Sequence, residues 1–379
     1  MADAVLIYAD SFRSADLRHA VPLAVPDPFL YAESNGGRHV VASSMEAARL
    51  RELGLFEVHV HEDYGIDDLV AAGLDRREIA AQLALRAVRE LGIAHAAVPE
   101  TFPIWLADRL RADGVELEVD QRLFDARRRV KTEAQLAGLR RAQRAAEAAM
   151  DTCRDLLRRA EADGEALRLE GEPLTVERVK AAMSATFAAH GTTADEFIVA
   201  PGPQGAVGHD MGSGPIRAGV PVVVDIWPRD NQSGVYTDMT RTFVVGEVPE
   251  DVRRWHGLVR QALEAAVAGI RAGAGCRDLF DRVCELFEAE GEPTQRTKRP
   301  GEPLGDGFFH GLGHGVGLEV HEEPGMGRTS TDSLVAGDVV TVEPGLYRAG
   351  YGGVRLEDIV LVTEQGAEIL TDYPYDLEP

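Results

Sequence analysis

Asp225, Asp238, His314, Glu343 and Glu357 are four carboxylates and one imidazole, each set in a short segment punctuated by glycine. Oxygen donors with a single imidazole suit hard or borderline divalent cations, and five such groups suffice for a site holding two. Among 63 Asp and Glu, acids alone select nothing. An internal repeat does the selecting. Ala218-Gly219-Val220-Pro221-Val222-Val223-Val224-Asp225 recurs as Ala336-Gly337-Asp338-Val339-Val340-Thr341-Val342-Glu343, at an offset of 118 residues. Each copy reads as an AG turn followed by an apolar strand ending in a carboxylate. A second strand follows in both copies and carries a further acid, Asp238 in TDMTRTFVVG and Glu357 in GGVRLEDIVLV, at an offset of 119. Two hairpins so related can aim four carboxylates at one point. That many uncompensated acids in a strand-rich interior are costly unless cations neutralise them.

The neighbouring residues refine this picture. Asp225 and Asp238 lie 13 residues apart, with a turn over 228–234, so each strand of the first hairpin can contribute one ligand. On the second of those strands Tyr236, Asp238, Thr240 and Thr242 share a face by the two-residue period. HGLGHGVGLEVHEEP holds His310, His314 and His321 among glycines that permit close backbone approach. His314 reads as the metal ligand and the outer two as contacts for substrate and transition state. His209, in GHDMGSG, reads by itself as a loop histidine. His19, His39, His59, His61, His95, His190 and His256 read as ordinary polar or surface residues. In GGVRLEDIV, Arg355 and Glu357 share one face, and Asp358 points the other way in a structural role. Arg355 is suited either to neutralise Glu357 or to bind substrate.

These segments need elements to position them. Residues 4–8, FLYAE and HVVAS read as strands, and 44–53 and 76–92 show helical spacing. Interleaved short strands and helices indicate a small α/β domain over 1–125. A long amphipathic helix opening at Thr132 and Glu133 starts the second domain, 126–379. Helices are expected over about 175–190, 250–272 and 276–290. The strands FIVAP, VPVVVDIW, VYTDMTRTFVVG, DVVTVEPGLY and GGVRLEDIVLV pair best as antiparallel hairpins, and GEPTQRTKRPGEPLGDG is the best candidate for a mobile loop. The expected class is therefore α+β.

Bulk properties exclude several functions. A length of 379 residues suits two domains. A net charge of −23 argues against nucleic acid or an anionic membrane as partner. Cys153, Cys276 and Cys284 show no CxxC or disulfide-framework spacing and read as small buried thiols of a reducing compartment. The N-terminal MADAVLIYADSFRSADLRHA has too short an apolar run for a signal peptide or span, so the expected location is the cytosol.

The ordered set Asp225, Asp238, His314, Glu343, Glu357, with GHGVGLEVHEEP, TRTF, EPGLY and GVRLED, resembles the M24 "pita-bread" metallopeptidases over roughly 126–379. A preceding α/β domain of this size is similar to that of aminopeptidase P and prolidase, with a pseudo-twofold antiparallel sheet expected in the catalytic domain. The resemblance implies two divalent metal ions, manganese first and cobalt or zinc as alternatives. It implies Asp225 on one ion, Asp238 and Glu357 bridging both, and His314 and Glu343 completing the other. His209, His310, His321 and Arg355 match positions that contact substrate or support the metal ligands, and Tyr347 matches a position often held by Tyr. A homodimer is likewise implied. The Asp–Asp spacing of 13 exceeds the usual 11, and Ile226-Trp227 replace a small residue and Gly, changes expected at a pocket wall.

The implied reaction is hydrolysis of the bond before a proline in the second position of a peptide. A hydroxide held between the two cations is expected to attack the scissile carbonyl, with Glu343 carrying its proton to the leaving nitrogen. His321, aided by His209, would stabilise the oxyanion, and His310, Arg355 and Tyr347 would hold the proline side. The leading expectation is an Xaa-Pro aminopeptidase. Prolidase, confined to dipeptides, uses the same site and is the first alternative. A metal-free creatinase-like C–N hydrolase and a non-enzymatic binding module are further alternatives, both expected to lack the ligands present here.

Overall fold

The computed structural model describes residues 3–379; Met1 and Ala2, which begin the N-terminal segment discussed above, lie outside the described residues. The chain divides into two compact units, one ending at Arg128 and the other running Arg129–Pro379.

In the first unit, β1 (Ala4–Ala9), β2 (Phe29–Ser34), β3 (Gly37–Ala42), β4 (Glu57–Val60), β5 (His95–Val98) and β6 (Glu116–Val119) form one sheet in the order β4-β3-β2-β1-β5-β6. The β1-β2-β3 run is antiparallel, and its second turn is Asn35-Gly36, both at positive φ (51° and 78°). That backbone matches the twist of a two-residue hairpin. The pairs β3/β4, β1/β5 and β5/β6 are parallel and need crossovers. The helix α1 (Ser44–Glu52) bridges β3 to β4, and α3 (Ile104–Ala112) bridges β5 to β6, while α2 (Arg76–Glu90) precedes β5. Strand alternation splits the apolar residues between two faces. Leu6, Leu30 and Val41 pack with Leu83, Val88 and Leu110, whereas Val5, Ile7, Phe29 and Val40 pack with Leu50 and Phe124.

The second unit opens with α4 (Glu133–Arg159). Thr132 caps it: its hydroxyl accepts from the Gln135 amide at 3.2 Å, and Gln135 Oε1 accepts from the Thr132 amide at 2.9 Å. Leu139, Ala142, Ala146, Met150, Cys153 and Leu157 form its buried stripe. The helices α5 (Val176–Ala189), α6 (Glu250–Val267) and α7 (Cys276–Ala289) follow. Helix α6 ends five residues before the expected 272; past its end the Ala272 amide donates to Thr363 O and Gly273 takes a φ of 82°.

The strands are antiparallel throughout. The first repeat gives β7 (Ile198–Pro201), β8 (Val222–Ile226) and β9 (Met239–Phe243), in the order β7-β8-β9 with Asp225 opposite Thr240. The second gives β10 (Gly313–Gly315), β11 (Glu322–Met326) and β12 (Val339–Val342), then the ribbon β13 (Gly345–Arg348) with β14 (Gly352–Arg355), then β15 (Asp358–Val362) and β16 (Ala367–Ile369). The larger sheet runs β11-β10-β12-β15-β16. GGVRLEDIVLV is thus two strands, not one. Its first half pairs with β13 and its second with β12, so Leu356-Glu357 fall at the change of partner, where Glu357 bridges to Thr240. That bridge joins the sheets of the two repeats. Likewise VYTDMTRTFVVG is ladder-paired only from Met239, leaving Asp238 just outside the strand.

One buried ion pair locks this junction. Arg241 and Asp358 are each about 1% exposed and meet at 3.0 Å. The Arg241 guanidinium also donates to the carbonyls of Thr240, Glu357, Tyr373 and Pro374 at 2.7–2.9 Å. Asp358 therefore has the structural role expected of it. Cys153, Cys276 and Cys284 are buried free thiols, and no helix among the described residues is long and apolar enough to cross a membrane. Replacing Asp358 by Ala strands a buried guanidinium, so Asp358→Ala should lose about 3–5 kcal/mol of stability. Urea unfolding would measure this, and a midpoint unchanged from the parent would refute the bracing role.

Candidate metal centre

The five sequence-selected residues come from five different places on the strands. Asp225 sits in β8, Asp238 immediately before β9, His314 in β10, Glu343 immediately after β12, and Glu357 between β14 and β15. Donor atoms of Asp238, His314 and Glu357 lie within 4.8 Å of one another. Glu343 joins them through Oε1, 3.6 Å from His314 Nε2, and Asp238 Oδ2 lies 3.8 Å from the same nitrogen. Asp225 is tied in by Arg355, whose Nη2 donates to Asp225 Oδ2 at 2.5 Å. The ion pair of Arg355 is thus with Asp225 rather than with Glu357.

Local packing fixes each ligand. The Asp238 carboxylate accepts from the Met239 amide at 2.9 Å, and Thr237 beside it donates to Gln143 of α4 at 2.5 Å. The longer Asp–Asp turn is anchored by Asp230, whose two oxygens accept from Arg141 at 3.0 and 2.8 Å. Thr240 Oγ1 donates to Glu357 Oε2 at 2.7 Å. Glycine is required on both sides of His314. A Cβ on Gly313 would lie 2.0 Å from Thr341 O, and one on Gly315 2.5 Å from Glu323 O.

The electrostatics describe a cage too negative to ionise freely. Burial, reinforced by Glu357, Asp225 and Glu343, holds the Asp238 carboxyl well above the usual carboxylate range. Glu357 is raised well above that range by burial, with Asp225 and Glu343 adding and Thr240 and Arg355 opposing. Burial raises Glu343 to about 8, with Arg355 opposing and Asp225 adding. Burial and the neighbouring His321 lower His314 to about 4, so its ring is neutral. Its Nδ1 lies 3.0 Å from Gly315 O; a carbonyl only accepts, which places the proton on Nδ1 and leaves the Nε2 lone pair facing the acids. Asp225 Oδ1 is buried with no hydrogen-bond partner. An orphaned carboxylate oxygen, a directed imidazole lone pair and mutually repelling acids together fit divalent cations.

Beside the cage runs a second set of contacts. Arg355 Nη1 donates to the Tyr347 hydroxyl at 3.0 Å, and that hydroxyl donates to His310 Nε2 at 2.8 Å. His310 Nδ1 donates to Gly311 O at 2.8 Å, so both ring nitrogens are engaged within the protein. Burial, with Arg355 adding, lowers His310 to about 3. Phe309 covers Tyr347 at a centroid distance of 4.7 Å. His321 stands 4.3 Å from the His314 ring, and His209 is exposed. His209 is an electrostatic neighbour of His310 and His321.

One expectation changes. Ile226 points away from the site into the core with Met150, Phe187 and Met239, since strand alternation sends it opposite Asp225. Only Trp227 of that pair stays partly exposed. Thr341, which accepts from the His314 amide at 3.1 Å, was not singled out from the sequence. Its signal is the repeat itself, two residues before Glu343.

Comparison with known proteins bears on this site. The sequence profile described as metallopeptidase family M24 matches residues 137–364. Over 177 residues the chain is 37% identical to a Xaa-Pro dipeptidase of Pyrococcus furiosus, covering 46% of this chain and 47% of that protein. A probable dipeptidase, PepE, of Mycobacterium tuberculosis is 35% identical over 181 residues, 48% of this chain and 45% of the relative. The matched stretch thus spans about half the length of these relatives. Among solved structures, a Xaa-Pro dipeptidase from Bacillus anthracis superposes with a TM-score of 0.80 at 25% identity, covering 100% of this chain and 95% of that one. An X-Pro aminopeptidase from Thermotoga maritima gives 0.78 at 24%, covering 100% and 97%, a likeness of fold. The α+β architecture, a small N-terminal unit before a pita-bread unit, is that of these structures.

Cation binding should stabilise the fold by relieving the repulsion among the acids. Free Mn²⁺ at a thousandfold excess over its Kd is worth about 4 kcal/mol. Chelator should therefore lower the melting temperature by several degrees and added Mn²⁺ restore it. Identical melting curves with chelator and with Mn²⁺ would show that the cage holds no cation.

Proposed function

From metallopeptidase family M24, to which this chain belongs, we propose that the protein is a two-cation peptidase acting on the bond before proline. The observation that carries the reading is the convergence of Asp238, His314 and Glu357 donor atoms within 4.8 Å, with Glu343 and Asp225 closing the cage.

In this reading Asp225, Asp238, His314, Glu343 and Glu357 would hold the cations. Divalent cations in such a cage supply Lewis-acid polarisation of a carbonyl and acidify water. The remaining chemistry belongs to the chain. Glu343 Oε1 faces His314, while Oε2 turns toward His310 Nδ1 at 3.8 Å. Oε2 is the atom placed to take a proton from the attacking water and deliver it to the leaving proline nitrogen, which as a tertiary amide carries no hydrogen of its own. His321 and His209 flank the cage and would donate hydrogen bonds to the developing oxyanion. Arg355, by its pairing with Asp225 and Tyr347, orients a ligand and keeps Tyr347 in place. His310, with both nitrogens already bonded, would hold Tyr347 against the substrate side rather than transfer a proton itself.

Between dipeptidase and aminopeptidase, we favour the dipeptidase reading: two relatives, 37% and 35% identical over about half of this chain, carry dipeptidase names. The aminopeptidase expected from the sequence shares the same cage, and the fold alone does not separate them. The full set of ligands speaks against a metal-free C–N hydrolase.

A matched pair of substrates, Xaa-Pro and Xaa-Pro-Xaa, assayed with Mn²⁺ and with chelator decides the question. Cleavage of the dipeptide only, abolished by chelator, is the expected result. Metal-dependent cleavage of the tripeptide at its first bond would restore the aminopeptidase, and no cleavage of either would remove proline from the proposal. Glu343→Gln should lower kcat by roughly 10²-fold or more, the usual worth of a proton-transfer group. Full turnover in that variant with metal bound would eliminate Glu343 as the proton carrier.

A further inference from the structure

The N-terminal unit brings together three residues that the sequence left apart. His39 lies in β3, and Glu57 and His59 lie in the edge strand β4. The parallel register sets His39 beside Glu57 and Val41 beside His59, so alternation turns all three side chains to one face of the sheet. His59 Nε2 lies 3.4 Å from His39 Nδ1. Glu57 reaches both rings, with Oε2 3.5 Å from His39 Nδ1 and Oε1 3.8 Å from His59 Nε2. The imidazoles are largely covered, 13% and 15% exposed, whereas the Glu57 side chain is 68% exposed.

These separations favour a cation over a hydrogen-bonded pair. An N–H bond prefers about 2.7–3.2 Å, shorter than the ring-to-ring distance. Ligands around a tetrahedral Zn²⁺ with bonds near 2.0–2.1 Å stand about 3.3–3.4 Å from one another, close to the spacing already present. The surroundings restrict the rings. The His59 ring packs 5.9 Å from Tyr64, and a Cβ on Gly37 would lie 2.8 Å from His39 Nε2, so only glycine leaves that ring its position.

We propose that His39, Glu57 and His59 form a second cation site, independent of the peptidase cage, that takes a Zn²⁺-like borderline ion with three protein ligands and one position open to water. Two imidazoles and one carboxylate select Zn²⁺, Cu²⁺ or Ni²⁺ over Mn²⁺, whereas the acid-rich cage suits harder ions. The bound ion clips edge strand β4 to β3 and closes the chain segment that contains α1. Its role is to hold the edge of the N-terminal sheet, and it takes no part in the hydrolysis.

The test uses the full-length chain preloaded with Mn²⁺, titrated with Zn²⁺ and freed of unbound metal. Zinc content is then compared with that of His39→Gln/His59→Gln. The difference cancels any zinc that enters the peptidase cage. The parent should retain one more equivalent of zinc, and amide exchange over 57–60 should slow on zinc addition only in the parent. Glu57→Gln, at an exposed position that does not threaten folding, should weaken zinc binding by at least about tenfold. Equal zinc content in parent and double variant, or zinc affinity unchanged in Glu57→Gln, would overturn the site. Turnover with Mn²⁺, expected to be unaffected in all three proteins, reports separately on the peptidase reading.

Discussion

Much of the second unit follows from the repulsion among acids gathered at one point. Asp238 and Glu357 are buried, 4% and 2% exposed, and their carboxyls are pushed well above the normal range by burial and by neighbouring carboxylates, Asp225 and Glu343 among them. Such an arrangement is unfavourable in an apolar interior unless positive charge compensates it. The protein supplies one compensating group of its own, the Arg355 guanidinium on Asp225. Divalent cations supply the rest, so binding and folding are linked through one electrostatic requirement.

The surrounding structure can be understood as what this requirement demands. Each residue of the cage sits in or beside a strand, and Asp238, Glu357 and His314 each have a neighbour that fixes their setting. Thr240 holds Glu357, the Met239 amide holds Asp238, and the Gly315 carbonyl sets the tautomer of His314. The two repeats are joined by the Thr240–Glu357 bridge, with the Arg241–Asp358 pair buried beneath it. A buried ion pair contributes little net stability but fixes a unique arrangement when fully hydrogen-bonded. Here that arrangement is the register that lets two sheets present ligands to one volume.

A contrast between the two units follows from their chemistry. The cage of the second unit is carboxylate-rich with one imidazole, while the His39, Glu57, His59 cluster is imidazole-rich with one carboxylate. Ligand type rather than raw affinity separates divalent ions, so two such sites on one chain need not compete for the same metal. The first lies among buried strand ends suited to reactions shielded from water; the second lies at a sheet edge, where a clip restrains a strand with an unpaired side.

The sequence by itself picked out the five residues of the proposed cage, because the repeat at an offset of 118 and the glycine spacing around His314 record local needs: a carboxylate at a strand end, and backbone approach too close for a Cβ. It likewise determined the capped helix at Thr132 and the alternating strands of both units, since those depend on neighbours within a few residues. Tertiary structure decided what depends on pairing between distant segments. It turned Ile226 into the core, broke GGVRLEDIVLV where its strand changes partner, gave Arg355 to Asp225, and bonded both nitrogens of His310. It also brought His39 to Glu57 and His59, some twenty residues on, which periodicity alone could not do. Register between strands is set by the packing of whole faces, and a side chain's partner across a sheet is therefore settled only when the sheet is assembled.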